Sequence, residues 1–239
     1  MYLTTNDNWE GRFNACTKIY PNGHTKTTVF NFPVYNPLGL FTESKTRTCF
    51  DKANNVTRND SIKRGIDKVY DIALLNDFQY FVTLTLDQNK IDRYDYTEIC
   101  KKVKNWLNNA CKRYNCKYLI VPELHEDGAV HFHGLLSGDF TLVDSGKKYQ
   151  NKPIYNLDNW HYGFTTCMQL TGNKEAVAKY ICKYITKDTK RILGNLYYAG
   201  GGITREPQKE YALESYPQAK GKEYVIANTS LKVKYDEVI

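Results

Sequence analysis

No stretch of this 239-residue chain is apolar for long enough to cross a bilayer, and Met1-Tyr2-Leu3-Thr4-Thr5-Asn6-Asp7 has no apolar run of an export signal. We therefore expect a soluble protein with no membrane partner. The seven cysteines (16, 49, 100, 111, 116, 167 and 182) are odd in number and never form Cys-x-x-Cys. Cys111 and Cys116 are the closest two, and no histidine cluster joins them. A zinc module and a disulfide framework are both disfavoured, and reduced thiols in a cytoplasm, here that of a bacterial host cell, are expected. Gly200-Gly201-Gly202 lacks a following Lys-Ser/Thr and the strand–helix setting of a phosphate loop, so Tyr197–Gly202 reads as a flexible turn. No internal repeat is evident, and we expect no ATPase domain in this chain.

What the chain does have is positive charge and aromatic rings. Net charge is +7 with a pI near 8.9, and 14% of residues are aromatic, 20 of them tyrosines. Basic side chains interleaved with rings suit single-stranded nucleic acid, where rings stack on bases and Lys or Arg track phosphates. At 41% hydrophobic and 25% charged, the length allows one large domain or a core with an appendage.

The most informative stretch is Pro122-Glu123-Leu124-His125-Glu126-Asp127-Gly128-Ala129-Val130-His131-Phe132-His133-Gly134. It reads as two strands joined by a turn at Glu126-Asp127-Gly128. Strand side chains alternate faces, so His131 and His133 share one face while Val130, Phe132 and Leu136 point the other way. A hairpin folding at Asp127-Gly128 returns Glu123 to the side of the histidine pair. Two imidazoles and a carboxylate make an open metal site. His125 and Glu126 are rivals, nearer the turn, and histidines that merely pack and hydrogen-bond in a sheet are the plain alternative. A metallo-β-lactamase pattern, a histidine-triad hydrolase and a two-histidine phosphodiesterase all fail, because Gly134-Leu135 follows the pair and His161 is followed by Tyr-Gly.

Elsewhere, residues 1–58 read as an irregular appendage with a hairpin turn at Pro21-Asn22-Gly23, a loop over Pro33–Pro37 and a surface His24. A helix from Asn59 or Asp60 to about Asn76 buries Ile62, Ile66, Val69, Ile72 and Ala73 and leaves Lys63 and Arg64 outside, as a solvated or a DNA-facing surface. Tyr80–Leu86 is the clearest strand. A helix follows from about Asp95 to Tyr114, its stripe running from Tyr96 through Ile99, Val103, Leu107 and Ala110. Residues of about 140–160 read as a polar loop and Gly163–Leu170 as a strand. The last helix runs from about Asn173 to Lys187. At about 100° per residue, Tyr180, Tyr184 and Lys187 share a narrow sector, with Lys183 beside it and Ala178, Ile181 and Ile185 on the flank that seats the helix. Tyrosines edging such a stripe are often packing residues. The doubled Tyr-x-x-Lys beside a His-x-His strand favours a chemical role.

Tyr80–Leu86, then Glu123 with His131-Phe132-His133, then Tyr180-x-x-Lys183-Tyr184-x-x-Lys187, resembles the HUH endonuclease superfamily in the order of rolling-circle replication initiators. The paired tyrosines are most similar to those of microvirus-like single-stranded DNA phages and related plasmids. The resemblance spans residues of about 60–205. It implies an α+β fold, a central antiparallel sheet (HUH/RRM-like) flanked by helices, with 1–58 as appendage, 59–205 as core and 206–239 as a tail packing on or extending that core. It also implies Mg²⁺ or Mn²⁺ on Glu123, His131 and His133, and a covalent 5′-phosphotyrosine made by Tyr180 first and Tyr184 second, helped by Lys183 or Lys187. The expected partners are single-stranded origin DNA, contacted by Lys63, Arg64, Lys190 and Arg191, with a host helicase and DNA polymerase, and the protein is expected to be a monomer. The rivals are a single-strand HUH transposase, which is usually shorter and commonly has Gln at the fourth position after its Tyr where this chain has Tyr184, and a non-catalytic nucleic-acid-binding regulator.

Overall fold

Along Tyr80–Leu86, Val82, Leu84 and Leu86 are buried on one face while Thr83 and Thr85 stay partly open on the other, the period of two that defines a strand. The computed structural model describes residues 12–35, 59–187, 195–212, 223–226 and 229–236. Its elements run β1 (Arg12–Ile19), β2 (Thr25–Tyr35), α1 (Asn59–Leu75), β3 (Tyr80–Leu86), α2 (Tyr96–Tyr114), β4 (Lys117–Leu124), β5 (Val130–Ser137) and β6 (Leu142–Tyr149). They continue with β7 (Lys152–Leu157), β8 (Gly163–Gln169), α3 (Lys174–Lys187), β9 (Tyr198–Gly200), β10 (Gln208–Ala212), β11 (Glu223–Ile226) and β12 (Thr229–Asp236). The chain divides into two units, Cys49–Arg205 and a second made of Met1–Thr48 with Glu206–Ile239.

The larger unit is an α+β fold: a seven-stranded antiparallel sheet in the order β6-β7-β8-β3-β5-β4-β9, with three helices. The strand with the histidines, β5, is interior, between β3 and β4. One face packs on α2, where Ile99, Val103, Trp106 and Leu107 meet Val82, Leu84, Val130 and Phe132 in one buried cluster. The other face carries α3 over β4 and β5, with α1 packed beside it. Asp95 caps α2, its carboxylate accepting from the Thr97 and Glu98 amides at 3.0 Å each. Asn173 caps α3 in the same way, accepting from Glu175 N at 2.8 Å and Ala176 N at 3.3 Å.

Three stretches depart from the sequence reading. The polar loop expected over 140–160 is a two-stranded ribbon, β6 with β7, turned by Gln150 and Asn151 at φ 49° and 62°. The ribbon exposes polar side chains on both faces, so it has no apolar alternation to find. Tyr197–Gly202, read as a flexible turn, contains β9, which pairs with Tyr118–Ile120 at the edge of the sheet. Its glycines serve close approach: a Cβ on Gly201, at φ 83°, would stand 1.9 Å from the Cys116 carbonyl oxygen. Finally, β2 runs through Pro33 to Tyr35, where a loop was expected. On the α2 stripe, Trp106 is buried and Tyr96 is 39% exposed, the reverse of the periodic reading.

The smaller unit is a five-stranded sheet ordered β10-β1-β2-β12-β11. Pro21-Asn22-Gly23 turns the β1–β2 hairpin, with Gly23 at φ 80°. The strands of 206–239 do not extend the larger sheet, as was one expectation for that tail; β10 pairs with β1 and β12 with β2. Ala15, Val29 and Ala212 form a small buried cluster there.

Candidate active site

Glu123 near the end of β4 and His131 near the start of β5 face one another directly in the register. The turn between them is closed by His125 N donating to Ala129 O and Gly128 N donating to His125 O, each at 2.9 Å. Alternation then sends Val130 and Phe132 into the α2 core, both fully buried, and His131 and His133 to the face under α3. On that face β3 contributes Thr85 opposite His131 and Thr83 opposite His133.

The tightest contact of the site is His133 Nε2–H donating to Glu123 Oε2 at 2.6 Å, with both residues buried. The other ring nitrogen, Nδ1, lies 3.2 Å from Thr83 Oγ1, which fixes the plane of the imidazole. His131 stacks on His125 with ring centres 3.7 Å apart. Burial, reinforced by His125 and His133, pushes the His131 imidazole down to about 4. At neutral pH it is therefore uncharged and keeps a lone pair for a cation.

α3 sits with Ala178, Ile181 and Ile185 buried, and this seat turns its two tyrosines over the histidine strand. The Tyr184 ring lies nearly parallel to His133, 3.8 Å between centres at 11°. Its hydroxyl donates to the Tyr180 hydroxyl at 2.9 Å. Tyr184 is 9% exposed and Tyr180 45%. Phe81 forms a shelf under both, with ring centres 5.3 Å from Tyr180 and 6.4 Å from Tyr184. Burial, aided by donation to Tyr180, pushes the Tyr184 phenol up. Lys183 Nζ is 5.6 Å from the centre of the Tyr180 ring, an ammonium over a π face.

Glu123, His133, Tyr184, Tyr180 and Lys183 are thus joined by successive contacts, with His131 beside Glu123 in the register. Among the described residues no group of three or more His, Cys, Asp or Glu side chains is spaced to hold a metal ion. The chemistry of the set nonetheless suits a divalent cation: a carboxylate and two imidazoles on adjacent strands, one held neutral by burial and the other oriented by Thr83. Binding one requires His133 Nε2 to give up its bond to Glu123. Lys63 and Arg64 are exposed on α1, and nothing in the structure brings them to this cluster. Lys187 ends α3, but its side chain, like Lys190 and Arg191, lies outside the described residues.

Sequence reading missed Phe81 and Thr83. Alternation in Tyr80–Leu86 puts both on one face, yet only the β3–β5 register shows that this is the histidine face. His125, read as a rival ligand near the turn, serves as the stacking partner of His131.

Residues 79–189 match a family model for replication-associated proteins of the ORF2 kind. The match supports a replication-initiator family. It covers β3, the Glu123–His133 hairpin and α3, and so contains every member of the cluster. No curated protein and no solved structure matches the chain. Among the described residues no helix is long and apolar enough to cross a membrane.

Proposed function

We propose that the chain is a rolling-circle replication initiator of the two-tyrosine HUH type, resembling those of microvirus-like phages and related plasmids. It nicks and rejoins single-stranded origin DNA through a 5′-phosphotyrosine link in the cytoplasm of a bacterial host, where the freed 3′ end is extended by a host polymerase behind a host helicase. The observation that carries this reading is the Tyr184 ring lying 3.8 Å over His133 with Tyr180 hydrogen-bonded at its outer edge. A packing pair would have no need of a buried carboxylate and two histidines beneath it.

In the reaction the Tyr180 oxygen attacks phosphorus, a Tyr–O–P bond forms and the P–O3′ bond breaks. The phenol proton ends on the released 3′-hydroxyl, so charge balances. The Tyr184 hydroxyl, which donates to the Tyr180 oxygen, stabilises negative charge developing there, and Lys183 adds a nearby cation. Tyr184 is then the second nucleophile, for strand transfer, and Lys187 is placed by its helical spacing to assist it. Glu123, His131 and His133 would hold Mg²⁺ or Mn²⁺, which when bound supplies Lewis-acid polarisation of the scissile phosphate. Because the phosphotyrosine conserves the phosphodiester, a free 3′-hydroxyl reverses the step without ATP.

The test is a suicide origin oligonucleotide with the covalent adduct mapped by peptide mass spectrometry. Tyr180→Phe should abolish the first adduct. Tyr184→Phe removes a hydrogen bond to a developing charge, worth about 1.5–3 kcal/mol, and should slow the first adduct by roughly 10- to 150-fold without abolishing it. An adduct formed undiminished by the double Phe variant would show that the nucleophile is not on α3.

A further inference from the structure

The sheet face that carries the histidines continues past β3 onto strands that the proposed chemistry leaves unused. Antiparallel partners share a face and successive residues alternate. The pairs Thr85↔Phe164 and Thr83↔Thr166 therefore put Phe164 and Thr166 on the face of His131 and His133. Tyr155 pairs with the buried Cys167, so Ile154 and Asn156 are on the histidine face, and their partners Lys147 and Val143 carry that face out to β6. The pair Tyr149↔Lys152 completes it near the ribbon tip.

This surface has the composition of a single-strand track. Phe164 is 67% exposed and Tyr149 57%, both large rings left open to water on a flat strand surface. The residues beside Phe164 on this face, Thr85 and Thr166, are too small to cover it. Lys147 and Lys152 stand at the far strands, and no residue that the register places on this face in β6, β7 or β8 is acidic. With strands about 4.8 Å apart, Phe164 lies roughly 10 Å from His131 and the lysines about as far again beyond it.

We propose that this face binds the single-stranded DNA flanking the scissile phosphate, with one base stacked on Phe164 and the backbone running on to Lys147 and Lys152. Its place beside the scissile phosphate rests on the initiator reading; the binding itself does not need the nicking chemistry. Fluorescence anisotropy of the full chain with labelled oligothymidine, in EDTA so that no cleavage intervenes, tests it. Phe164→Ala should weaken binding by roughly 5- to 150-fold, the loss of one stacked base. Phe164→Trp should retain native affinity, and Phe164→Leu should behave as Ala. Lys147→Ala and Lys152→Ala should each lower the slope of log affinity against log salt by about 0.7. Phe164 is exposed, so all three variants should melt as the native protein does. Unchanged affinity in Phe164→Ala, or native affinity in Phe164→Leu, overturns the proposal. So does a change of oligomeric state in size-exclusion chromatography without a change in DNA binding, which would make the face a contact between copies. Adduct formation on the suicide oligonucleotide reports the chemistry separately: loss of the stacking effect with the adduct intact removes only the track, and the converse removes only the chemistry.

Discussion

Replacing Phe132 and replacing His133 alter adjacent residues of one strand and should have opposite consequences. Phe132 is fully buried among Val82, Leu84, Val103 and Leu107 under α2. Its truncation to Ala leaves a ring-sized void and should cost about 3–5 kcal/mol, a large share of the roughly 5–15 kcal/mol that a domain has in total. His133→Gln loses the stack on Tyr184, worth about 0.5–1.5 kcal/mol, while its amide can still donate to Glu123. A cost of about 1–2 kcal/mol follows. Urea unfolding followed by circular dichroism measures both, and adduct formation is measured on the same preparations. We expect Phe132→Ala to be strongly destabilised, and His133→Gln to be folded and unable to form the adduct at the native rate. Where Phe132→Ala fails to fold, Phe132→Leu should still lose about 1 kcal/mol and keep activity. The reasoning is refuted if Phe132→Ala is nearly neutral while His133→Gln loses more than about 3 kcal/mol, since the faces of β5 would then be reversed. It is equally refuted if His133→Gln forms adduct at the native rate.

Adduct formation should require Mg²⁺ or Mn²⁺, and an undiminished yield in excess EDTA would remove the metal assignment to Glu123, His131 and His133. Burial pushes the thiols of Cys116 and Cys167 up to about 12, so neither should take iodoacetamide in the folded protein at pH 8, and rapid native-state labelling of either by mass spectrometry would contradict their burial. Because these folded-state values lie above the ordinary 9.0, the stability that they contribute is intact below pH 9 and is lost as pH rises toward 12. Cys116→Ala should therefore flatten the alkaline loss of stability in a pH series of urea melts.

The elements that could be read from sequence are those whose burial repeats with a helix or strand period and whose ends carry their own signals. Tyr80–Leu86 is bounded as predicted, and Asp95 and Asn173 start α2 and α3 because their side chains accept the first free amides of each helix. The β6–β7 ribbon escaped because exposed polar strands are held by pairing alone, with a turn formed by Gln150 and Asn151 and no glycine at its centre. β9 escaped for the converse reason: Gly200 and Gly201 suggest freedom, whereas they are there because Tyr118 and Cys116 leave no room for a Cβ. Within the cluster, the eight-residue spacing from Glu123 to His131 foretold their pairing across the turn. Thr83 under His133 and Phe81 under the tyrosines depend on a register between segments 50 residues apart, which no local pattern encodes.

The two copies of Tyr-x-x-Lys look interchangeable in the sequence, and the seat of α3 makes them unequal. Ala178, Ile181 and Ile185 press one flank of the helix onto the sheet, and that orientation drives Tyr184 between Phe81 and His133 while Tyr180, one turn earlier, stays at the rim. The buried phenol is the donor of their shared hydrogen bond and is held protonated by its surroundings; the exposed one offers its oxygen outward. Under the proposed chemistry this asymmetry sets an order. Tyr180 attacks while Tyr184 supports it. Once the Tyr180 oxygen is esterified to DNA it is a poorer acceptor, so the Tyr184 hydroxyl loses much of the partner that kept its proton in place. The second nucleophile is in this way released by the first reaction, through one hydrogen bond across a single helical turn.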